Sequence, residues 1–205
     1  MGLKKSTTQA SQETGEQERD CNTLREELIA DSATTRRWAA RDIVNCPGAS
    51  LLLLDQLNAE TDSSVRQVIL SSLTQLGDAD SVEGLVSCLR SEDASLRNEA
   101  IEAMKHLPQE VSHIMASLLN DPDPDVRIFA VNILESLCHP DVEVWLRDVI
   151  HDDEHVNVCA TAVDLLGEVG SEASLPALKT LKDRYPDEPY IQFAADVAIK
   201  RISGD

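Results

Sequence analysis

The chain has 205 residues, of which 37 are acidic and 18 basic, so its formal charge is −19 at pH 7. Such a surface repels a nucleic-acid backbone and an anionic membrane, so we expect no nucleic-acid partner and a protein that stays monomeric on its own. Only 3% of the residues are aromatic. This predicts thin layers of helices filled by aliphatic side chains rather than a large aromatic core.

Residues 1–20 are rich in Ser, Thr, Gln, Glu and Lys and hold no large apolar residue after Leu3. Such a segment cannot bury enough apolar surface to offset the entropy of ordering, so we predict a disordered tail. The stretch Met1–Ser6 also fits the loose pattern for glycine myristoylation, although a single acyl chain anchors a protein only marginally. From residue 21 to residue 205 the pattern becomes helix, acidic turn, helix, and we predict one domain there.

One structural unit is clearest between Leu51 and Gly77. A first helix is predicted to begin near Leu51, and a second begins at Val65 after an acidic turn. The apolar residues of the second helix recur at steps of three and four, which form one stripe of an amphipathic helix; they are Val65, Ile69, Leu73 and Leu76. Ser and Asp residues before Val65 are good N-caps, and Gly77 stands where a left-handed C-cap is usual.

The same plan recurs at a period of about thirty residues. An aliphatic residue followed by arginine opens the second helix at Val65-Arg66, Leu96-Arg97 and Val126-Arg127, with weaker copies at Arg36-Arg37, Val158-Cys159 and Ile191-Gln192. No unit can bury its apolar face alone, so the period predicts a stacked solenoid rather than a globular core. The glycines are expected singly at helix ends, where caps require them.

The acidic turn, the Val-Arg pair, the Ala-rich helix and the ending Leu-Gly-Asp resemble HEAT repeats, in particular the short units of bilin-lyase-type HEAT proteins. The closest copy runs from Val65 to Asp78, and the resemblance covers nearly everything after the tail. It implies an all-α, right-handed and gently curved α-solenoid of about six helical hairpins, an armadillo-like superhelix. The motif is specific for the fold and carries almost no information on function.

Four arginines occupy the same place in successive units. Corresponding residues of a stack lie in a row, so each arginine can reach carboxylates or carbonyls of its own or an adjacent unit and orient one unit on the next. This predicted ladder consists of Arg37, Arg66, Arg97 and Arg127, preceded by Asp31, Asp62, Asp93 and Asp123. Cys159 and Gln192 interrupt the row, which predicts weaker polar coupling toward the C-terminal end.

No group of residues indicates catalysis, a metal ion or another cofactor. The turn from His151 to His155 collects possible ligands but lacks the His-Glu-x-x-His spacing of metallopeptidases. HEAT-like enzymes resembling deoxyhypusine hydroxylase bind iron through His-Glu pairs, and no such dipeptide occurs in the sequence. Cys138 and His139 are adjacent, but neighbouring side chains of a helix point about 100° apart, which argues against a nucleophilic dyad.

The five cysteines are odd in number and form no CxxC pair, so we expect them to be reduced; they are Cys21, Cys46, Cys88, Cys138 and Cys159. No stretch of the sequence approaches the roughly 20 apolar residues that a membrane span needs. Together these features predict a cytoplasmic protein.

Apolar residues stand where the repeat expects polar ones on its inner surface. With the residue before the arginine as position one, position three of the second helices holds Trp38, Gln67, Asn98, Ile128, Ala160 and Phe193. Phe129 follows Ile128 and would extend the patch, whereas Trp145, on a first helix, is expected to pack in the outer layer. Two interpretations stay open, a partner-binding groove or packing on a neighbouring helix in a shifted register.

These patterns favour a non-catalytic scaffold or adaptor that binds another protein on a concave surface with an acidic rim. The predicted partner-binding residues are Trp38, Ile128, Phe129 and Phe193, and the partner would carry a basic or amphipathic segment. The resemblance to bilin lyases implies an alternative function, the attachment or handling of a tetrapyrrole chromophore. That function would need aromatic and basic residues around the propionates, and the chain is poor in both.

Overall fold

The computed structural model describes residues 19–204, in which helices are the only regular secondary structure. The first three hairpins consist of α1 (Cys21–Leu28), α2 (Ala33–Asp42), α3 (Ala49–Ala59), α4 (Ser63–Leu76), α5 (Ala79–Cys88) and α6 (Ala94–Lys105). The last three consist of α7 (Pro108–Leu119), α8 (Pro124–Leu134), α9 (Val142–Asp152), α10 (Val156–Val169), α11 (Leu175–Arg184) and α12 (Pro189–Ser203). Short 3-10 helices follow α2 at Ile43–Asn45 and precede α11 at Glu172–Ser174.

The twelve helices of the described chain form two layers. Each odd-numbered helix packs on the even-numbered helix that follows it, and the even-numbered helices pack on one another in chain order from α2 to α12. We call these the first-helix layer and the second-helix layer. Between them lies a continuous core of aliphatic side chains, in which Leu53, Ile69, Leu85 and Leu146 are fully buried. The predicted all-α solenoid of six hairpins is confirmed.

Aspartates begin several of these helices because their carboxylates accept hydrogen bonds from backbone N–H groups that have no partner within the helix. Asp62 accepts from the backbone nitrogens of Ser64 and Val65 at 2.9 and 3.3 Å. Asp93 begins α6 in the same way, and the backbone N–H of Ser95 is the main cause that lowers its pKa. Part of the acidic charge of the chain is therefore used to start helices.

The glycines play two different roles. Gly77 ends α4 with a φ of +55°, the left-handed cap that the sequence predicted. Gly84 and Gly167 instead lie inside α5 and α10, so the expectation that all glycines end helices is wrong. A Cβ atom at residue 167 would lie 3.2 Å from the backbone Cα of Ala198, so this glycine allows α10 and α12 to pack closely.

Replacing Gly84 by alanine is expected to destabilise the protein by about 1–3 kcal/mol, the usual cost of overpacking. A Cβ atom at this position would lie 2.2 Å from Cδ2 and 2.9 Å from Cγ of Leu54, so α3 and α5 would have to separate or Leu54 would have to leave its site. Urea unfolding followed by circular dichroism measures the loss. Adding Leu54→Ala should recover part of it, and a destabilisation by Gly84→Ala of less than 0.5 kcal/mol, about the effect of a neutral surface change, would contradict the close approach.

The first hairpin contains a disulfide. Cys21 at the start of α1 is bonded to Cys46, and their Cα atoms are 5.6 Å apart. The expectation that the cysteines are reduced is wrong for this pair, because the hairpin brings together two residues that are distant in sequence. Such bonds persist in oxidising compartments, so the cysteine pattern does not support the cytoplasmic assignment. Cys88, Cys138 and Cys159 are free.

Other expectations concern the N-terminal segment and the membrane. The predicted disordered tail lies outside the described residues except for Arg19 and Asp20, and the myristoylation pattern lies outside them entirely. Arg19 donates to Glu27 and to Asp42, and Asp20 caps α1. Within residues 19–204, no helix combines the length and the apolar character required to cross a bilayer.

Candidate protein-binding surface

The N-caps of the second-helix layer fix the register of the repeats. They are Ser32, Asp62, Asp93, Asp123, His155 and Glu188. The residue four positions after each cap donates its backbone N–H to the carbonyl of that cap; these residues are Arg36, Arg66, Arg97, Arg127, Cys159 and Gln192. The ladder position of the first hairpin is therefore Arg36. The sequence assignments of Arg37 to the ladder and of Asp31 to the matching turn position are wrong by one residue.

Arg36 makes the most buried bridge between two repeats. Its Nε and Nη2 atoms donate to the two carboxylate oxygens of Glu60 at 2.7 and 2.8 Å, and Nη1 donates to the carbonyls of Ala30 and Asp31. The Glu60 side chain is only 1% exposed and also accepts from Gln56 and from two backbone N–H groups. The hydrogen bond from Arg36 is the largest cause that lowers the pKa of Glu60 to about 2.

Two further arginines repeat this bridge. Arg66 donates to Asp93 of the next repeat at 2.7 Å, and Arg127 binds both carboxylate oxygens of Asp153 at 2.6 and 3.0 Å. Burial would raise the pKa of Asp153, but the hydrogen bonds from Arg127 and from the backbone of His155 outweigh it, and the pKa lies below its usual value. These bonds connect the acidic turn of one repeat to the second helix of the repeat before it.

Arg97 departs from the pattern. Its Nη1 atom donates to the Ser91 carbonyl of its own turn at 2.6 Å, and its guanidinium lies over the Phe129 ring, 5.9 Å from the centroid. The carboxylate of Asp121 accepts instead from Arg90, at the C-terminal end of the first helix α5. The third repeat is thus joined to the fourth by an arginine of the first-helix layer and not by one of the second-helix layer.

The C-terminal end is also joined by polar contacts, whose acceptors are backbone carbonyls and a sulfur atom in place of carboxylates. The Sγ atom of Cys159 lies 3.2 Å from the carbonyl oxygen of Asp153, and Arg184 of the last hairpin donates to that carbonyl and to the sulfur. Gln192 donates to the carbonyls of Lys182 and Tyr185 at 2.8 and 3.0 Å. Arg184 therefore supplies from the next repeat the guanidinium that Cys159 lacks.

The corrected register changes the row of position-three residues. Trp38 moves to position four, where Phe129 also stands, and position three now holds Arg37, Gln67, Asn98, Ile128, Ala160 and Phe193. The row is polar in the first three repeats and apolar in the last three. We call Ile128, Ala160 and Phe193 the apolar row; they lie on α8, α10 and α12, which pack on one another in that order.

The four predicted partner-binding residues differ in exposure and lie apart. Phe193 is 68% exposed and Trp38 43%, whereas Ile128 and Phe129 are half-buried against the core. Trp38 on α2 and Phe193 on α12 belong to opposite ends of the array, and Arg41 lies over the Trp38 ring at 4.3 Å from its centroid. None of the four lines any of the three main grooves in the described part of the chain.

An acidic groove of about 230 Å³ lies between α8 and α10, the two helices that carry Ile128 and Ala160. Its acidic residues are Glu135, Asp164 and Glu168. Asp164 accepts a hydrogen bond of 2.6 Å from the Tyr190 hydroxyl, which raises the pKa of that tyrosine. Sequence reasoning missed the groove because its carboxylates stand on two helices a full repeat apart.

The residues considered above for catalysis, metal binding or outer-layer packing lie in the first-helix layer and its turns. Trp145 is half-buried, packs against the core and stacks on His139 with ring centroids 4.9 Å apart. Cys138 is exposed. His151 is exposed and paired with Asp152 at 2.6 Å, while His155 is the N-cap residue of α10. Over residues 19–204, no group of three or more His, Cys, Asp or Glu side chains is placed to hold a metal ion.

A stack of six hairpins joined by an arginine ladder defines an α-solenoid of the repeat class. The family model for HEAT repeats matches residues 50–112 and 111–198, which is most of the chain. The chain belongs to the HEAT-repeat family, as its resemblance implied. No curated protein sequence matches it.

Three solved structures illustrate the likeness of fold. The complex of CpcE and CpcF of phycocyanin lyase from Nostoc sp. PCC7120 matches with 17% identity and a TM-score of 0.40, over 95% of this chain and 98% of that one. Human deoxyhypusine hydroxylase matches with 16% identity and a TM-score of 0.46, over 90% and 85%. An archaeal HEAT-like repeats protein from Thermococcus onnurineus NA1 matches with 18% identity and a TM-score of 0.45, over 90% and 87%. At these identities the likeness concerns the fold alone.

Proposed function

We propose that this HEAT-repeat protein is a non-catalytic scaffold or adaptor that binds another protein on its second-helix layer, over the last three repeats. The observation that carries the proposal is the apolar row of Ile128, Ala160 and Phe193 beside the acidic groove between α8 and α10. A side chain as exposed as Phe193 contributes little to folding, and its burial by a partner would remove apolar surface from water.

The charges of this surface favour a partner segment with basic residues. Within residues 19–204 the only ion pairs of Glu135 and Glu168 are long, 3.5 Å to Lys105 and 3.8 Å to Arg201, and both glutamate side chains are well exposed. Exposed pairs of this kind contribute little, so lysines or arginines of a partner can compete for the carboxylates. An amphipathic segment could then place apolar side chains on the row and basic ones over the groove.

The chromophore alternative receives less support from these grooves. Bilin propionates are anionic, and the grooves of the described chain are lined by carboxylates, among them Glu135, Asp148 and Glu110. Among the described residues that line these three grooves the one arginine is Arg127, which already binds both oxygens of Asp153. We therefore propose protein binding and no catalysis.

The test compares Phe193→Ser with a matched control, Leu51→Ser. Leu51 is also an exposed apolar residue, 56% accessible, but it lies on the first helix α3. Wild type and both variants, each of equal helicity by circular dichroism, are used to capture partners from the source cell, and binding of the captured partner is then measured with purified proteins. We expect Phe193→Ser to weaken that binding about tenfold or more, on the order of 1.4 kcal/mol, and Leu51→Ser to leave it unchanged.

Equal binding by wild type and both variants would show that the apolar row is not the interface. If neither the wild-type protein nor a variant with a photo-crosslinking residue in place of Ala160 captures a partner, the proposal also fails. Uptake of a bilin by the purified protein, with a change in absorbance, would favour the chromophore function instead.

A further inference from the structure

The first-helix layer is unevenly packed. In this layer α3 packs on α5 and α9 packs on α11, whereas α7 packs on α6 and α8 and makes at most slight contact with α5 and α9. Gly84 explains part of this arrangement, because Leu54 of α3 occupies the space that a side chain at residue 84 would fill and α5 can lie close to α3. The opposite side of α5 is left uncovered by α7.

A groove of about 520 Å³ runs between α5 and α7. Val82 and Leu118 form its buried floor, and Val86 and Ile114 are half-buried on its two sides. Grooves of this size and character bind ligands or the apolar side chains of a partner. It is a different surface from the apolar row, since it lies in the other layer.

The rim of this groove is negatively charged on both sides. Glu83 stands on α5 and Glu110 on α7, both are exposed, and neither forms an ion pair within residues 19–204. No lysine or arginine of the described part of the chain lines the groove. A second copy of this chain, which also carries −19, is a poor match for such a rim, whereas a basic segment is a good one.

We propose that the groove between α5 and α7 is a second docking site, whose occupant is an amphipathic helix of a partner protein. The helix lays leucine-like side chains on Val82, Val86, Ile114 and Leu118 and places a lysine or arginine on each flank, against Glu83 and Glu110. This is the helix-in-groove mode of recognition, with the apolar contacts giving affinity and the two carboxylates fixing the charge of the flanks.

The test uses two synthetic peptides of about four helical turns, ~14 residues. Both carry leucines at helical spacing on one face; the first has lysines on both flanks of that face and the second has glutamates. We expect the wild-type protein to bind the lysine peptide at least about tenfold more tightly by fluorescence anisotropy. The double variant Glu83→Lys, Glu110→Lys should reverse that preference.

Because the whole chain is acidic, non-specific attraction of the lysine peptide must be distinguished from its binding in the groove. Ile114→Asn and Val86→Asn remove apolar contacts at half-buried positions of the groove and leave the charge unchanged. Each should weaken binding of the lysine peptide about tenfold while circular dichroism stays the same. Equal binding by wild type and both variants would show that the attraction is non-specific, and the groove assignment would be wrong.

Other outcomes also overturn the proposal. If the double charge reversal leaves the preference for lysine flanks intact, the carboxylates of Glu83 and Glu110 do not determine which peptide binds. If sedimentation shows a wild-type dimer that Ile114→Asn dissociates, the groove is an interface between copies. Phe193→Ser should not affect peptide binding, so a failure of this inference is distinguishable from a failure of the proposed function.

Discussion

Replacing Glu60 by glutamine is expected to destabilise the protein by about 3–5 kcal/mol, the usual effect of removing one partner of a buried ion pair. The substitution leaves the Arg36 guanidinium, only 15% exposed, without its counter-charge. It also replaces by an amide, with only one acceptor oxygen, a carboxylate that accepts five hydrogen bonds from the turn and the neighbouring repeat. Urea unfolding followed by circular dichroism measures the loss.

Glu168→Gln is the matched control. Glu168 lies 3.8 Å from Arg201, and both side chains are more than half exposed. An exposed pair contributes at most about 1 kcal/mol, so its removal should be close to neutral. If Glu60→Gln were no more damaging than Glu168→Gln, the bridge between the first two repeats would not stabilise the stack.

The same carboxylate predicts a dependence of stability on pH. The pKa of Glu60 falls from its ordinary value of 4.5 to about 2 in the folded protein. Its contribution is therefore fully present above pH 4.5 and is lost as the pH falls from there through about 2. At about 1.4 kcal/mol per pKa unit, the contribution is on the order of 3 kcal/mol. The difference in stability between wild type and Glu60→Gln should shrink over this acidic range and stay constant between pH 6 and 8.

Reducing the disulfide, or replacing Cys21 and Cys46 by serine, is expected to destabilise the first hairpin by about 3 kcal/mol. The bond closes a loop between residues 25 apart in sequence, which restricts the unfolded chain. Helix α1 has only eight residues and buries Leu24 and Leu28, so it depends on this constraint. Hydrogen exchange in α1, with and without reductant, measures the effect locally.

The serine variant provides the control for reduction, because reductant should not change its exchange rates further. Cys88 and Cys159 are buried free thiols, and burial raises the pKa of each, so neither is poised to exchange with the bond. Mass spectrometry of the unreduced protein should find one disulfide. If all five cysteines react with an alkylating reagent before reduction, the bond is absent.

The sequence predicted the fold well because one local pattern, cap residue, aliphatic residue and arginine, returns in three of the six repeats, and the other three keep its spacing. It failed by one residue in the first hairpin, where Asp31 and Ser32 are both good caps and Arg36 and Arg37 are both arginines. Three contacts of the structure decide between the two registers: the hydrogen bonds of the Thr35 and Arg36 backbones to Ser32, and the bridge from Arg36 to Glu60.

The remaining failures concern contacts between repeats. Arg184 takes the place of the missing ladder arginine beside Cys159. No pattern in the sequence relates the positions of these two residues. In the sequence Gly84 is an isolated glycine within a helix, and its role is explained only by the Leu54 side chain that packs against it. The two docking surfaces likewise depend on the spacing of helices a full repeat apart, and local periodicity carries no information on that spacing.

The bond between Cys21 and Cys46 also affects how the chain can be pulled apart from its ends. A machine that draws the polypeptide through a narrow pore from the N-terminal side reaches the closed loop before the other five hairpins and must admit two strands side by side. Drawn from the C-terminus, the chain passes five hairpins as a single strand before the loop arrives. The covalent obstacle thus comes first from the N-terminal side and last from the C-terminal side, and reduction removes it.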